Sequence, residues 1–314
     1  MRYETAAAFR QALEQRLLTR SKETGSSLVR LRKTVVFDRL LARLAVAAPE
    51  RWVLKGALAL DFRMGTRTRT TKDMDLVRKD DERAATTDLI AAQSLDLGDF
   101  FVFAVEKVGG IREDEEGGAV RYRVRAELAA RTFEEVAVDI GFSDPLGWQP
   151  EQLRGPDLLA FAEIEPAEVP ALPLEQQVAE KVHAYTRGYG GGHPSSRVKD
   201  LVDLVLVKQF LAPDGGRLHA ALVATFELRH QQPLPARLPR PPADWAVPYR
   251  RLAREVGIEQ DLIGGHAEAA ALLDPVLGGL AAGCWNPGRG AWEQARRYGL
   301  KAQRASWECR TSKQ

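Results

Sequence analysis

The stretch VLKGALAL at residues 53–60, followed by KDMDL at residues 72–76, decides the fold of this chain. It predicts the end of a strand, a glycine turn at Gly56, a short apolar helix, a basic loop and a second strand that carries two carboxylates. Alternate residues of a strand share a face, so Asp73 and Asp75 point one way while their apolar neighbours point into a core. Two adjacent carboxylates repel each other unless a cation lies between them. Hard divalent ions such as Mg²⁺ bind carboxylate oxygens, keep several bound waters and also bind the phosphates of a substrate.

The glycine turn supports a phosphate site near these acids. Gly56 lies one short helix upstream of the second strand, so its backbone N–H groups are placed to hold a phosphate close to a metal ion. A pair of acids on a solvated strand edge is the alternative, and the two acids alone do not decide between these interpretations.

A third predicted strand carries one further acid, which also lies on the face opposite the apolar residues. In the run EVAVDIGF at residues 135–142, valine and isoleucine alternate toward a core, so Asp139 lies on the opposite face between the small residues Ala137 and Gly141. Small neighbours allow close approach by a ligand or a metal ion. Asp139 is therefore the third predicted carboxylate of the site.

Composition and charge set the broad class of protein. The 314 residues are 45% hydrophobic and 28% charged, as in a soluble globular protein of two domains. No apolar run is long enough for a membrane helix and the chain starts without a signal-peptide pattern, so we expect a cytoplasmic protein without a membrane partner. The two cysteines, Cys284 and Cys309, fit no metal-ligand spacing and are expected to be thiols.

The net charge of +2 is distributed unevenly. Residues 1–48 hold ten basic and four acidic residues, giving +6, and residues 285–314 hold seven and two, giving +5. The middle of the chain is acidic. The basic ends are either solvated helix faces or contacts for an anionic partner such as RNA, and so are Arg121, Arg123 and Arg125 on the polar face of a strand.

The pattern of apolar residues predicts three parts. Residues 1–48 form a helical prefix packed on the core, residues 49–150 form a domain with a mixed sheet, and residues 151–314 form a mainly helical domain. Within the last part we predict an extended Pro/Arg-rich connection at residues 211–248 and a basic helix at residues 292–306.

Two segments of the helical part carry charged residues at helical spacing. Glu180 and Lys181 lie on one helix, and the sequence RVKDLVDL at residues 197–204 begins the next. Asp200 and Asp203 share a face of that second helix. Ordinary surface pairing explains such a pattern by itself, whereas the upstream pair of acids favours a functional one.

Together these motifs resemble the AbiEii/AbiGii family of nucleotidyltransferase toxins, within the superfamily that includes DNA polymerase beta. The resemblance lies in LKG-A-x-AL, R-x-x-x-T-x-D-M-D-L, V-D-I-x-F, E-K-x-x-A and R-x-K-D-L-x-D-L, from about Val53 to Leu204. One departure is Ala57, where the superfamily usually has Ser or Gly. The resemblance implies an α/β (α+β) nucleotidyltransferase core with a mixed sheet, a helical N-terminal prefix and a helical C-terminal domain.

The resemblance also implies an activity and partners. It predicts an Mg-dependent (or Mn²⁺-dependent) toxin of a toxin–antitoxin system that transfers NMP from NTP to RNA, with the tRNA 3′ end as acceptor, and that is neutralised by a separately encoded antitoxin. A protein or small-molecule hydroxyl is the alternative acceptor, and a non-catalytic RNA- or nucleotide-binding regulator is the alternative from another class.

The residues divide into roles on this view. Catalytic roles are predicted for Asp73, Asp75, Asp139, Lys181 and Asp203, of which Asp73, Asp75 and Asp139 bind metal. Nucleotide-binding roles are predicted for Lys55, Gly56, Ala57, Arg67, Thr71, Lys199 and Asp200. Thr71 has a second interpretation as a phosphorylation switch, and a third as a loop hydroxyl that only stabilises the turn.

Overall fold

The computed structural model describes residues 2–111, 118–142, 147–187, 197–229 and 232–294. The chain divides into two compact units, Met1–Pro173 and Leu174–Gln314.

Two helices open the first unit. They are α1 (Ala6–Thr24) and α2 (Leu28–Ala47), separated by a short turn. The hydroxyls of Thr5 and Ser27 accept N-cap hydrogen bonds at the two helix starts, and Gly25 ends α1 in the left-handed conformation. One face of α1 is buried in the main core together with side chains of the sheet, through Phe9, Leu13 and Leu17.

A seven-stranded mixed sheet forms the centre of this unit, in the order β3-β4-β5-β2-β1-β7-β6. Parallel pairing joins β2 to β5 and β1 to β7, and the other neighbours are antiparallel. The strands are β1 (Val53–Lys55), β2 (Asp73–Arg78), β3 (Phe101–Ile111), β4 (Ala119–Leu128), β5 (Arg131–Phe142), β6 (Glu151–Arg154) and β7 (Glu168–Ala171). The predicted α/β class with a mixed sheet is confirmed.

Two further helices lie between the strands. The helix α3 (Gly56–Met64) follows β1 directly, and α4 (Glu82–Gln93) follows β2. Asp81 caps α4 by accepting a hydrogen bond from the backbone of Ala84.

The predicted start of the helical domain at residue 151 is wrong. Residues 151–173 belong to the first unit, because β7 pairs with β1 and β6 pairs with β7. The prolines of this stretch favoured an irregular connection, but Pro170 lies within β7, opposite Gln152 of β6.

A tight hairpin connects β4 and β5. Ala129 and Ala130 form its two-residue loop, both with positive φ (52° and 55°), and Leu128 pairs with Arg131. A register shift follows between Ala126 and Glu127, where one extra residue is inserted into β5. This bulge sets which residues of the two strands lie opposite each other.

The second unit is helical in the main, as expected. Its helices are α5 (Leu174–Thr186), α6 (Val198–Phe210), α7 (Gly215–Arg229), α8 (Ala246–Val256) and α9 (Leu262–Leu277), and a small hairpin pairs β8 (Cys284–Asn286) with β9 (Ala291–Glu293). Leu218, Leu222 and Phe226 of α7 are buried, so the extended connection predicted for residues 211–248 is wrong over this helix.

Other expectations concern the end of the chain and the absence of a membrane helix. Trp292 lies in β9 rather than at the start of a basic helix, and the basic residues Arg296, Arg297, Lys301 and Arg304 lie outside the described residues. Cys284 lies at the start of β8, and the other predicted thiol, Cys309, lies outside the described residues. Over the described part of the chain, no helix has the length and apolar character needed to span a membrane.

Candidate nucleotidyltransferase site

The glycine turn brings the start of α3 against β2. Gly56 has φ +68°, a conformation that side chains with a Cβ rarely adopt. A Cβ built on Gly56 would lie 1.9 Å from Oδ2 of Asp75 and 2.9 Å from the Cβ of Asp75. Only glycine therefore lets the backbone approach this carboxylate so closely.

The N-terminus of α3 is suited to a phosphate. Lys55 occupies the N-cap position, where its ammonium group cannot accept the hydrogen bonds that a capping side chain normally accepts. The first N–H groups of a helix need hydrogen-bond acceptors and carry a partial positive charge. A phosphate oxygen accepts these hydrogen bonds and supplies negative charge. The next residue, Ala57, is buried in the helix.

The acids lie in one line across the sheet. Lys55 of β1 pairs with Asp75 of β2, Asp75 pairs with Asp139 of β5, and Asp139 pairs with Arg121 of β4. Residues directly opposite each other on neighbouring strands share a face. We call these four residues the cross-strand charge row. Asp73 lies two residues before Asp75 and thus on the same face.

The opposite face of the same strands is apolar. The residues between the acids, Met74 and Leu76 on β2 and Val138 and Ile140 on β5, are fully buried. The alternation that predicted the carboxylate face is therefore present in the structure. It brings Asp73, Asp75 and Asp139 to one surface together with Lys55 and Gly56.

Arg121 binds the third carboxylate. Its Nε and Nη2 atoms donate hydrogen bonds of 2.7 and 2.6 Å to the two oxygens of Asp139. The same Nη2 lies 3.8 Å from Oδ2 of Asp73. This hydrogen bond to Asp139, followed by the charge of the acids, raises the pKa of Arg121 above its ordinary value, so the guanidinium stays charged.

This pairing changes the prediction for the metal ion. The chemistry of Asp73 and Asp75, two hard oxygen donors on one face, fits Mg²⁺, which commonly takes one or two carboxylates. Within the described ranges no three His, Cys, Asp or Glu residues are grouped as ligands for an ion. The predicted third ligand, Asp139, is held by Arg121 instead. Asp73 and Asp75 therefore offer two carboxylates to an ion, whereas both oxygens of Asp139 accept hydrogen bonds from Arg121.

The other arginines of β4 are also paired. Arg123 lies 3.3 Å from Glu106 of β3 and 3.3 Å from Glu135 of β5, and Arg125 lies 3.3 Å from Glu127. Cross-strand ion pairs therefore account for this basic face without an RNA partner.

The loop before β2 is held by a network of its own. Thr71 is buried, and its hydroxyl lies 3.1 Å from Asp61, which also contacts Arg30. Arg30 in turn donates 2.5 and 2.7 Å hydrogen bonds to the carbonyl and hydroxyl of Thr68. This geometry favours Thr71 as a residue that stabilises the loop. Arg67, predicted to bind nucleotide, is exposed at the other end of the loop.

A buried charged cluster occupies the second unit. Lys181 of α5 donates a 2.6 Å hydrogen bond to Asp203 and a 3.3 Å one to Asp200, both on α6. Arg197 lies 3.6 Å from the second oxygen of Asp200. Three charged side chains are less costly to bury when each is paired, so this cluster also joins the two helices. Lys199 is exposed and does not join it.

A buried histidine lies two residues beyond Lys181. His183 packs edge-on against Phe226, with 4.9 Å between ring centroids, and neither ring nitrogen has a hydrogen-bond partner among the described residues. Burial lowers the pKa of His183 to about 4, helped by nearby arginines. The imidazole is thus neutral at physiological pH.

Sequence reasoning missed Arg121 as a member of the site. It placed Arg121 on a basic face but did not predict that this face meets Asp139. The alternation in β4 identified the face, whereas the partner depends on the register of the hairpin. It likewise missed Arg30 and Asp61, whose positions on separate helices give no local signal.

Comparison with known proteins identifies the family of the chain. The family model described as nucleotidyl transferase AbiEii toxin, type IV TA system, matches residues 39–274. The chain therefore belongs to the AbiEii family of nucleotidyltransferase toxins. No curated protein matches the sequence.

The solved structure of a nucleotidyltransferase toxin shows the same fold. MenT4, a nucleotidyltransferase toxin from Mycobacterium tuberculosis H37Rv, is 19% identical with a TM-score of 0.51, and the match covers 86% of this chain and 98% of that one. The structure of JHP933 from Helicobacter pylori is 14% identical with a TM-score of 0.48, and covers 81% of this chain and 94% of that one. At such identities the likeness concerns the fold alone.

Proposed function

We propose that this nucleotidyltransferase toxin transfers a nucleoside monophosphate from an NTP to an RNA acceptor, the tRNA 3′ end, with a divalent ion bound by Asp73 and Asp75. The observation that carries the proposal is the close approach of Gly56 to Asp75. It places a helix N-terminus suited to phosphate against two carboxylates suited to a metal ion.

The residues of the first unit divide the work of positioning. The backbone of α3 and the ammonium of Lys55 bind the phosphates of the nucleotide and offset their charge. Asp73 and Asp75 hold Mg²⁺, or Mn²⁺ in its place, which when bound polarises the α-phosphate toward attack. Phosphoryl transfer demands placement and charge neutralisation more than covalent work, and this face supplies both.

The second unit contributes two residues whose roles are inferred from the family resemblance. Lys181 and Asp203 occupy positions that correspond to residues the family needs for activity, and we propose that they take part in transfer. Their buried pairing supports a defined orientation of the Lys181 ammonium. Lys199, Arg67 and Thr71 are not needed in this proposal.

The acceptor is tested directly. The protein is incubated with each labelled NTP and total RNA, and separately with a mixture of cellular proteins. We expect label in tRNA, and RNA binding that weakens steeply as salt rises. Label in protein, or in neither polymer, would refute the RNA acceptor. A cognate antitoxin, encoded separately, is expected to suppress the labelling.

The metal ligands are tested with a matched pair of variants. Asp75→Asn should lower turnover by on the order of 100-fold or more, because it removes charge that holds the ion. Glu135→Gln, also a carboxylate of the sheet but paired with Arg123, should leave turnover unchanged. Near-normal turnover of Asp75→Asn would refute the metal site.

A further inference from the structure

We propose that Arg121 is a positioning residue that keeps Asp139 out of the divalent-ion site, so that Asp73 and Asp75 alone ligate the ion. This inference rests on the proposed function, since it concerns the same site. It assigns to Asp139 the role of holding Arg121 rather than that of a third ligand.

Both carboxylate oxygens of Asp139 already accept hydrogen bonds from Arg121. Two parallel N–H groups of Arg121 meet them at 2.6 and 2.7 Å, the bidentate geometry that makes Arg–carboxylate pairs strong. The side chain of Asp139 is only 16% exposed, so little room remains for water or an ion around it.

The guanidinium of Arg121 contacts two of the three acids. Arg121 lies between Asp139 and Asp73, at 3.8 Å from the latter, where it offsets repulsion among three carboxylates. A second metal ion at Asp139 would have to offset the repulsion that Arg121 already offsets. Because a guanidinium stays protonated, the positive charge is permanent and independent of the ion concentration.

The strand β4 carries a second arginine on the same face. Arg121 and Arg123 point to the same face of β4, two residues apart, yet only the first reaches acids of the site. Arg123 contacts Glu106 and Glu135 instead. The chain thus provides a matched control of the same residue type, on the same strand, with a comparable exposed fraction of 51% against 43%.

The experiment measures Mn²⁺ binding without substrate, by calorimetry and by the electron paramagnetic resonance of free Mn²⁺. Wild type is compared with Arg121→Gln, Asp139→Asn and the double variant, with Arg123→Gln as the control. Circular dichroism and the urea midpoint establish that each variant is folded. Arg121→Lys is a second test, since lysine keeps the charge but lacks the bidentate fork.

We expect Arg121→Gln to bind Mn²⁺ roughly tenfold more tightly, because a third carboxylate is released and a positive charge is removed. Asp139→Asn should lower affinity much less than Asp73→Asn does in the wild-type background. In the Arg121→Gln background the same change should remove most of the gain. Arg123→Gln should have no effect.

Two outcomes would overturn the proposal. If Asp139→Asn weakens Mn²⁺ binding as strongly as Asp73→Asn, Asp139 is a ligand and Arg121 moves away. If the gain of Arg121→Gln survives Asp139→Asn, Arg121 acts only through its charge. Failure of the proposed function looks different: Mn²⁺ binding would then persist in an Asp73→Asn, Asp75→Asn double variant, which refutes the metal site and the role of Arg121 with it.

Discussion

The glycine turn at Gly56 gives the sharpest test of the site, because the chain contains a control for it. Gly56→Ala introduces a Cβ at φ +68°, within 1.9 Å of Oδ2 of Asp75 and 2.9 Å of its Cβ. Gly25→Ala introduces a Cβ at φ +72° with no atom within 4 Å. Both variants carry the cost of a left-handed alanine, and only one carries the collision.

The magnitudes follow from these two terms. A left-handed alanine costs about 1–2 kcal/mol, which is the whole effect expected for Gly25→Ala. Overpacking against a neighbouring group adds about 1–3 kcal/mol, so Gly56→Ala should cost about 2–5 kcal/mol. Rotation of the Asp75 carboxylate cannot remove the collision, because the Cβ of Asp75 is itself too close.

The assay is urea unfolding followed by circular dichroism, combined with Mn²⁺ binding to the folded protein. We expect Gly56→Ala to lose more stability than Gly25→Ala and to bind Mn²⁺ more weakly, since Asp75 is displaced. Equal free energies of unfolding for the two variants, with unchanged Mn²⁺ binding, would refute the close approach of α3 to β2.

Three other predictions concern residues away from that turn. Lys181→Met should destabilise the protein by about 3–5 kcal/mol in urea unfolding, since it removes the cation that donates hydrogen bonds to two buried carboxylates, whereas Lys181→Arg should keep most of the stability. A Lys181→Arg variant that is stable but inactive in the NTP-labelling assay would show a catalytic role, and full activity would argue against one. The lowered pKa of His183 means that the unfolded state binds a proton more readily between pH 6.5 and about 4. The stability that neutral His183 contributes is therefore present above pH 6.5 and lost as the pH falls toward 4. In His183→Phe the urea midpoint should depend less on pH across that window, and an unchanged slope would contradict the assignment. Thr71→Val should cost about 1 kcal/mol through the lost hydrogen bond and leave turnover unchanged, whereas loss of turnover would restore a nucleotide-binding role.

The parts of the fold that were predictable are those with a local signal. The 53–60 stretch predicted β1, the turn and α3, because a glycine after an apolar run marks a break in the chain. Alternation of apolar residues predicted the faces of β2 and β5, and thus the side on which Asp73, Asp75 and Asp139 lie.

The partner of Arg121 was not predictable for a physical reason. The hairpin loop Ala129-Ala130 has positive φ at both positions, but alanine gives no sign of that conformation. Without the bulge in β5, the pairing of Leu128 with Arg131 would place Val138 opposite Arg121. One inserted residue places Asp139 there instead. Register of this kind depends on the packed sheet, and a single sequence does not encode it locally.

The missed helix α7 has a different cause. The prolines from residue 233 onward dominated the interpretation of the whole 211–248 stretch, although Leu218, Leu222 and Phe226 recur at helical spacing. Composition averaged over residues 211–248 obscured a helical period within the 15 residues of α7.

The cross-strand charge row also has a consequence for synthesis on the ribosome. Its members lie at positions 55, 75, 121 and 139, so the row closes only when β5 has left the exit tunnel and paired with β2. A nascent chain that stops before residue 131 has the glycine turn and both acids of β2 but neither Asp139 nor the second strand of the hairpin. A fragment that ends before β5 therefore lacks the strand that pairs β4 with the rest of the sheet. In such a fragment Arg121 is not held beside Asp73 and Asp75, and it does not offset their negative charge. The complete row is a property of the finished sheet, assembled late because its contacts join residues far apart in the chain.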